Sequence, residues 1–448
     1  MTLQTQKRFF LGACSIIAVS MTGAAEETAA ETVYVDDSGV EEIIVSAQKT
    51  TFANNATDRV MLDQEPDASS VLAVIDNLPG LFVSEGGPFG SDDWSTTLSV
   101  RGFTVSLSEQ QVGMTIDGLP NGNSNYGGGA KANRYIDSEN LERAEVSQGT
   151  ADISSPSHEA LGGTINFVSS NPHDEQRFWA GLSFGENNAQ KYFFRYDTGE
   201  IFENTTAYFS YSNTTNDAWI GNAGGTTRDH FAAKIVSEQG DWTLTGRLSY
   251  DDVNENNYQR VSIAQFEENS TWDRLTDTLT GIPYVDQVFR PGWGTLRENW
   301  FGYVKAEYSS DKLDFSVSPY YHNNSGRGDW IPPYLVSVDG GVEQSNGTIY
   351  GGSIGGTYAF TDTAGTPVAP IDGCASSITF PYGGAGAGRD PACYSNGSVP
   401  VGSYRHTHHG KNRLGITADV AYRIKENNPL RSGLWWENRD PDQYRDWH

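Results

Sequence analysis

From about residue 177 onward, apolar and polar positions alternate with a period of two. Leu313, Phe315, Val317 and Tyr321 are interleaved with Asp314, Ser316 and Ser318. Leu414, Ile416, Ala418, Val420, Tyr422 and Ile424 are interleaved with Gly415, Thr417, Asp419, Ala421 and Arg423, and Trp242, Leu244, Leu248 and Tyr250 with Thr243, Thr245, Arg247 and Ser249. Such alternation marks strands with one apolar and one small or polar face. It predicts strands at 177–184, 190–197, 205–213, 230–238, 241–250, 299–309, 312–321, 411–424 and 430–437. Links at 198–204, 239–240, 310–311 and 425–429 are short, whereas those at 214–229, 251–298 and 322–410 are long and rich in Gly, Asn, Asp, Ser and Pro. Alternation alone also fits a soluble β-sandwich. A sheet trimmed at one end and elaborated at the other has the plan of a membrane barrel, and loops of ~80 residues are rare in ordinary compact domains.

Upstream, residues 55–172 carry mixed signals. Asp67-Ala68-Ser69-Ser70 offers N-caps, Val71, Leu72, Val74, Ile75 and Leu78 recur at helical spacing, and Pro79-Gly80 stops the run, so one short helix is expected. Around it lie strand-prone segments at 81–83, 97–101, 113–117, 144–146 and 164–168, punctuated by Gly86-Gly87, Gly102, Gly118, Gly127-Gly128-Gly129 and Gly162-Gly163. This is a small α+β domain. Before it, residues 26–54 form an acidic arm, expected to be flexible, that contains the β-prone run Glu42-Ile43-Ile44-Val45-Ser46-Ala47. Such a run can add as a strand to a partner's sheet edge; an ordinary first strand of the next domain is the other reading.

Residues 1–25 have the three regions of a secretory signal peptide: Lys7-Arg8, an apolar stretch from Phe9 to Val19, and Thr22-Gly23-Ala24-Ala25. Leu11-Gly12-Ala13-Cys14 has the form of a lipobox, but almost no apolar run precedes it. After cleavage no apolar run is long enough for a membrane-spanning helix, so a bilayer could be crossed only by strands.

Composition sharpens this picture. Thirty Lys+Arg against 57 Asp+Glu give a net charge of −27, which argues against a nucleic-acid partner. With 22 Tyr, 11 Trp and 49 Gly beside 4 Met, the profile is that of a β-rich protein. Tyrosines and tryptophans near strand ends, among them Tyr192, Tyr211, Trp242, Trp300 and Tyr321, suit interfacial girdles or cross-strand pairs in a soluble sheet. Cys374 and Cys393, both in a Gly-, Pro- and Ser-rich stretch of an exported chain, point to a loop disulfide. The chain has no phosphate-binding loop and no G-x-S-x-G elbow, and His158-Glu159 lacks the second His of a zincin helix. Asp251, Asp252, Asn254, Glu255 and Asn256 lack the Gly and Glu that a calcium loop requires. His406, His408 and His409 form a histidine cluster before a strand, open to a metal or haem contact or to a solvated loop end.

The order of signal peptide, acidic arm, β-prone box, glycine-rich α+β domain and alternating strands resembles a TonB-dependent receptor of a Gram-negative outer membrane. Residues 42–47 are similar to that family's TonB box. Leu78-Pro79-Gly80-Leu81-Phe82-Val83, Ser99-Val100-Arg101-Gly102-Phe103, Ile116-Asp117-Gly118-Leu119-Pro120, Leu141-Glu142-Arg143-Ala144-Glu145-Val146, Gln148-Gly149-Thr150 and Gly162-Gly163-Thr164-Ile165-Asn166 follow the family's plug domain in order and spacing. Ser147-Gln148-Gly149 and Ser157-His158-Glu159-Ala160 depart from its usual pattern.

The resemblance covers 41–448. It implies an α+β plug domain at 55–172 followed at 173–448 by an antiparallel transmembrane β-barrel. It further implies TonB as partner through Glu42, Ile43, Ile44, Val45, Ser46 and Ala47, with ExbB and ExbD acting indirectly. Outer-membrane lipid is the surroundings, and a small-molecule substrate is bound at plug apices and loops (85–96, 121–133, 251–298, 322–410). Neither a cofactor nor catalysis is implied. Arg101 and Arg143 match motif arginines that pair with carboxylates of the barrel wall in the family. The residues after 172 suffice for about nine strands, whereas plugged transporters close at about 22. The barrel is therefore expected to be incomplete in this chain, an N-terminal fragment of a longer receptor. The rival expectations are a secreted soluble carbohydrate-binding or polysaccharide-active β-protein, with apolar faces buried between sheets, and a passive porin, which needs neither plug nor box.

Overall fold

The computed structural model describes residues 53–448 apart from 54, 58, 67, 92–95, 106–109, 122–130, 158–159, 222, 346–348, 381–383 and 426–427. The expected signal peptide, the acidic arm up to residue 52 and the box at 42–47 lie outside the described residues.

In the N-terminal domain the strands are β1 (Asn55–Ala56), β2 (Leu81–Ser84), β3 (Thr97–Val100), β4 (Phe103–Val105), β5 (Gly113–Ile116), β6 (Leu119–Pro120), β7 (Leu141–Gln148) and β8 (Gly163–Ser169). They form a sheet ordered β1-β7-β8-β5-β6 and a smaller one ordered β2-β3-β4. Gly163 enters β8 at φ +126, where a Cβ would lie 1.9 Å from the Ser147 carbonyl oxygen. Of the Gly162-Gly163 pair read from the sequence, Gly163 is thus needed for β7 and β8 to close on each other, and Gly162 for Phe103 to pack against the turn.

The helix expected over Val71–Leu78 is a 3-10 helix at Ala73–Asn77. Its apolar residues point in all directions, and Val71, Leu72, Val74, Ile75 and Leu78 are all buried. A segment closed by Pro79-Gly80 and packed on every side has too few turns to gain from α-helical propagation. A short α-helix, α1 (Arg59–Gln64), was not expected, because six residues are too few to show a helical apolar period. The core of Leu72, Ile75, Leu98, Met114, Ile116, Ile165 and Phe167 continues into three aromatic residues of the following sheet, Phe301, Tyr303 and Tyr320.

That sheet contains β9 (Gln176–Phe184), β10 (Gln190–Phe202), β11 (Thr205–Asp217), β12 (Gly225–Gln239), β13 (Trp242–Asn256), β14 (Gly294–Ser309), β15 (Leu313–Trp330), β16 (Arg405–Lys425) and β17 (Asn428–Trp447). Each is antiparallel to the next, in chain order, and among the described residues β9 and β17 are its two open edges. All nine expected strands are present. Most run several residues past their expected bounds on the long-loop side, so the long connections shrink to 218–224, 257–293 and 331–404. In those outer segments, such as Asp251-Asp252 and Asn323-Asn324-Ser325, both faces are polar, and backbone ladder bonds rather than side-chain patterning hold the strand. On β17 the prolines at 429 and 441 lie opposite Arg423 and Lys411 of β16.

The faces of this sheet are inverted relative to a soluble protein. Phe209, Tyr211, Leu248 and Leu414 are exposed, while their chain neighbours Ser210, Ser212, Arg247, Ser249 and Arg413 are buried. The soluble-sandwich expectation required the opposite and is overturned. A buried polar face must be hydrogen-bonded, and an exposed apolar face is stable where hydrocarbon replaces water. Cross-strand rings line the exposed side, with Tyr250 and Trp300 at 4.4 Å and Trp242 and Tyr308 at 5.1 Å between centroids. No described helix is long and apolar enough to cross a membrane. In the 331–404 connection Cys374 is bonded to Cys393, with their Cα atoms 5.6 Å apart.

Candidate functional site

The plug meets the polar face of the wall chiefly through residues 131–140. Two single 3-10 turns, Ala132–Arg134 and Ser138–Asn140, keep this segment extended enough to follow the wall across several strands. Arg134 donates to both oxygens of Glu255 on β13 at 3.1 and 3.2 Å. Asp137 accepts from Arg228 of β12 at 2.8 Å and from the Ser212 hydroxyl of β11 at 2.7 Å. Glu139 pairs with Lys191 of β10 at 2.5 Å. Asn140 donates to Ser210 at 2.8 Å and accepts from Arg195 at 3.2 Å. Tyr135 contacts His322 of β15 through its hydroxyl, and its carbonyl accepts from Arg247 at 2.5 Å. Within seven residues, Arg134 to Asn140, the plug thus contacts β15, β13, β12, β11 and β10.

A second anchor is Asp117. It begins the two-residue Asp117-Gly118 turn between β5 and β6, with φ of 52° and 79°, the left-handed pair that a type I′ hairpin requires. Its carboxylate accepts from Tyr303 of β14 at 2.9 Å and from the Ser169 amide at 2.7 Å, and Arg247 lies 3.8 Å away. Lys305 donates to the Asp117 carbonyl at 3.2 Å, and Lys234 to Ser169 at 3.0 Å.

Burial alone would raise the pKa of both plug carboxyls. Around Asp117 the fields of Lys234, Arg247 and Lys305 outweigh burial and hold it below the usual carboxylate range. His230, Arg228 and Lys191 do the same for Asp137. A carboxyl depressed in the folded state contributes stability above its unfolded value of about 3.9 and loses it as pH falls through the native value. Plug seating, followed by protease protection of 131–148, is expected to be flat between about pH 5 and 8 and to weaken only below about pH 4. Weakening between pH 7 and 5 would exclude these carboxyls as the titrating anchors.

Among the described residues, the contacts seen for the arginines expected to reach the wall lie within the plug. Arg143 pairs within its own strand and the residue before it, with Glu145 at 2.8 Å and Glu142 at 2.9 Å. Arg101 is exposed at φ 49° in the β3–β4 turn, its side chain lying along Gly80 and Gly149 of the plug. Among the described residues, the cations that bridge plug and wall include Arg134, Lys191, Arg195, Arg228, Lys234, Arg247 and Lys305, which no sequence motif marked.

Between β7, β8 and the short-turn ends of the wall strands lies a cavity of about 930 Å³, whose lining includes Glu145, Asn166, Lys234, Tyr303 and Arg423. Nearer the long loops, the inward face of β14–β16 carries a basic patch. Register places Arg297 and His409 in one row, Lys411 in the next, and His322 with Arg413 in the third. Lys411 Nζ, His409 Nε2 and His322 Nδ1 are buried there without a hydrogen-bond partner. The histidine cluster is thus divided, since His406 and His408 occupy the opposite face of β16 from His409.

A family model, the TonB-dependent receptor plug domain, matches residues 46–164. No curated protein sequence matches this chain. Among solved structures, it is similar to the ferric-catecholate import receptor Fiu of E. coli K12, with 11% identity, TM-score 0.54, and coverage of 88% of this chain and 48% of that one. It is also similar to the pyoverdine outer membrane receptor FpvA of Pseudomonas aeruginosa PAO1, with 14% identity, TM-score 0.51, and coverage of 89% and 47%. For BauA, the ferric preacinetobactin receptor of Acinetobacter baumannii, the values are 11%, 0.52, 85% and 46%. The chain spans about half the length of the solved structures it matches. These relatives are receptors, not enzymes. Residues 46–164 thus match the plug domain of TonB-dependent receptors, and the described residues share the plug-and-wall fold of the solved receptors.

Proposed function

We propose that this chain serves active uptake of a scarce anionic solute, such as a ferric siderophore, across the Gram-negative outer membrane. TonB would engage residues 42–47 and transmit the inner-membrane proton gradient, with ExbB and ExbD acting on TonB. The observation that carries this reading is a plug held by buried ion pairs and hydrogen bonds on the polar face of a wall whose apolar face is exposed. Such contacts can be exchanged for water more readily than an apolar core, which suits a plug that must be held and then moved. The basic patch of Arg297, Lys411 and Arg413 favours an anionic cargo, and the relatives named for ferric-catecholate, pyoverdine and ferric preacinetobactin support a ferric chelate over haem or an oligosaccharide. A passive porin has no use for the plug.

The test is uptake of radiolabelled ferric chelates by cells expressing the gene that encodes this chain, with and without TonB. Uptake is expected only with TonB, and Lys411→Ala should weaken half-saturation about tenfold, the worth of a charged hydrogen bond. Equal uptake without TonB would overturn the reading.

A further inference from the structure

The outward face of β16 carries an arrangement that neither plug seating nor uptake uses. His406 and His408 are two residues apart on one strand and so share a face. Asp446 on β17 lies directly across from His406 in the ladder. His406 Nδ1 is 3.4 Å from one oxygen of Asp446, and His408 Nε2 is 3.3 Å from the other. One ligand atom from each of the three residues falls within 4.8 Å of the other two. Tetrahedral coordination with bonds of about 2.0–2.1 Å requires donor–donor separations of about 3.3 Å. Each histidine already stands at about that distance from one of the two Asp446 oxygens, and a small rotation of the carboxylate would bring one oxygen to both.

Three further observations point the same way. His408 Nε2 and Asp446 Oδ1 are buried atoms that face each other's residue without completing a hydrogen bond. The other ring nitrogen of His406, Nε2, faces Asp329 Oδ1 at 3.9 Å. Asp329 is itself held by the Tyr404 hydroxyl at 2.7 Å and by Arg327 at 3.1 Å. A buried carboxylate behind a ligating imidazole is the outer-shell partner that fixes a metal-binding histidine. His448 Nε2 also lies close by, 3.5 Å from Asp446 Oδ2.

We propose that His406, His408 and Asp446 bind a borderline divalent transition-metal ion, Zn²⁺ in particular, with Asp329 as positioning residue. Two imidazoles and one carboxylate select such an ion over Ca²⁺ or Mg²⁺, which prefer all-oxygen shells. On β16 itself His408 lies six residues beyond Leu414, the nearest exposed aliphatic residue on that face, about 20 Å along the strand, and the ring of Tyr444 on β17 stacks on it at 4.5 Å, as an aromatic at the edge of the band would. The site is therefore outside the apolar band and open to ions from the medium. The metal pins β17 to β16 and, through Asp329 and Tyr404, fixes the end of the 331–404 connection.

The experiment is calorimetric titration of the full chain in detergent with zinc chloride, together with the visible spectrum on adding cobalt chloride. One equivalent is expected to bind, with the intense visible bands of tetrahedral cobalt. His406→Ala and Asp446→Asn should each weaken binding at least about 100-fold, and Asp329→Asn about 10–100-fold at unchanged stoichiometry. His173→Ala, at a histidine far along the chain, should leave it unchanged. Asp446→Asn preserves shape, so it reads the site even if an alanine variant fails to fold. The absence of saturable binding, binding unaltered by His406→Ala and Asp446→Asn, or equal loss in His173→Ala would overturn the proposal.

Discussion

An Asp137→Ala variant is expected to loosen the plug by about 3 kcal/mol, at the lower end of the cost of breaking a buried ion pair from one side. Arg228 would keep Asp251 and the Asn133 carbonyl as partners but lose its plug carboxylate, and the Ser212 hydroxyl would be left without its acceptor. Arg228 and Ser212 are too buried for water to replace the loss cheaply. Asp137→Asn keeps the shape and part of the hydrogen bonding, so it should fall between the two. Amide hydrogen exchange of 131–148 in the purified, detergent-solubilised protein reads the change: a loss of about 3 kcal/mol speeds exchange through plug opening by about 150-fold. Unchanged exchange in both variants would show that the remaining anchors, Arg134 and Asp117 foremost, hold the plug without Asp137.

The second large effect is expected in the box. Strand addition relies on backbone N–H and C=O groups along the added segment, and proline supplies no N–H and resists a central ladder position. Ile44→Pro should therefore reduce uptake to the level of cells lacking TonB, with the amount of protein in the outer membrane and binding of the ferric chelate at the cell surface both unchanged. Ser46→Ala, which leaves the backbone free to pair, should retain uptake. Full uptake by the proline variant would place the point of energy coupling elsewhere in the chain.

Where one side of a strand is apolar, the two-residue period was enough to locate it, and all nine wall strands were legible for that reason. The period could not say which way the apolar side faces; the asymmetry of the connections pointed outward, and Leu248 beside Arg247 and Ser249 bears this out. The outer strand ends were illegible because Asp251-Asp252 and Asn323-Asn324 have no apolar side to alternate. The interface residues were hidden for another reason. Arg134, Asp137, Glu139 and Asn140 form a short polar cluster that reads as loop, and only the apolar Tyr135-Ile136 among them hinted that the segment is buried. Arg143 carried a family motif, yet its nearest carboxylates are Glu142 and Glu145, close in the sequence itself. His406 and His408 were visibly on one face, but Asp446 joins them only through the β16–β17 register.

Residues 331–404 leave β15 at Trp330 and return on its ladder neighbour β16 at Arg405, directly opposite. For such an insertion, the thermodynamic penalty of closing the ends grows only with the logarithm of its length, so doubling it costs about 0.6 kcal/mol. A residue added to a wall strand, by contrast, shifts every side chain beyond it to the other face. Variation in length is therefore nearly free in this connection and close to forbidden a few residues below it. Molecules that meet this protein from outside face a surface able to change quickly while the frame carrying it stays the same.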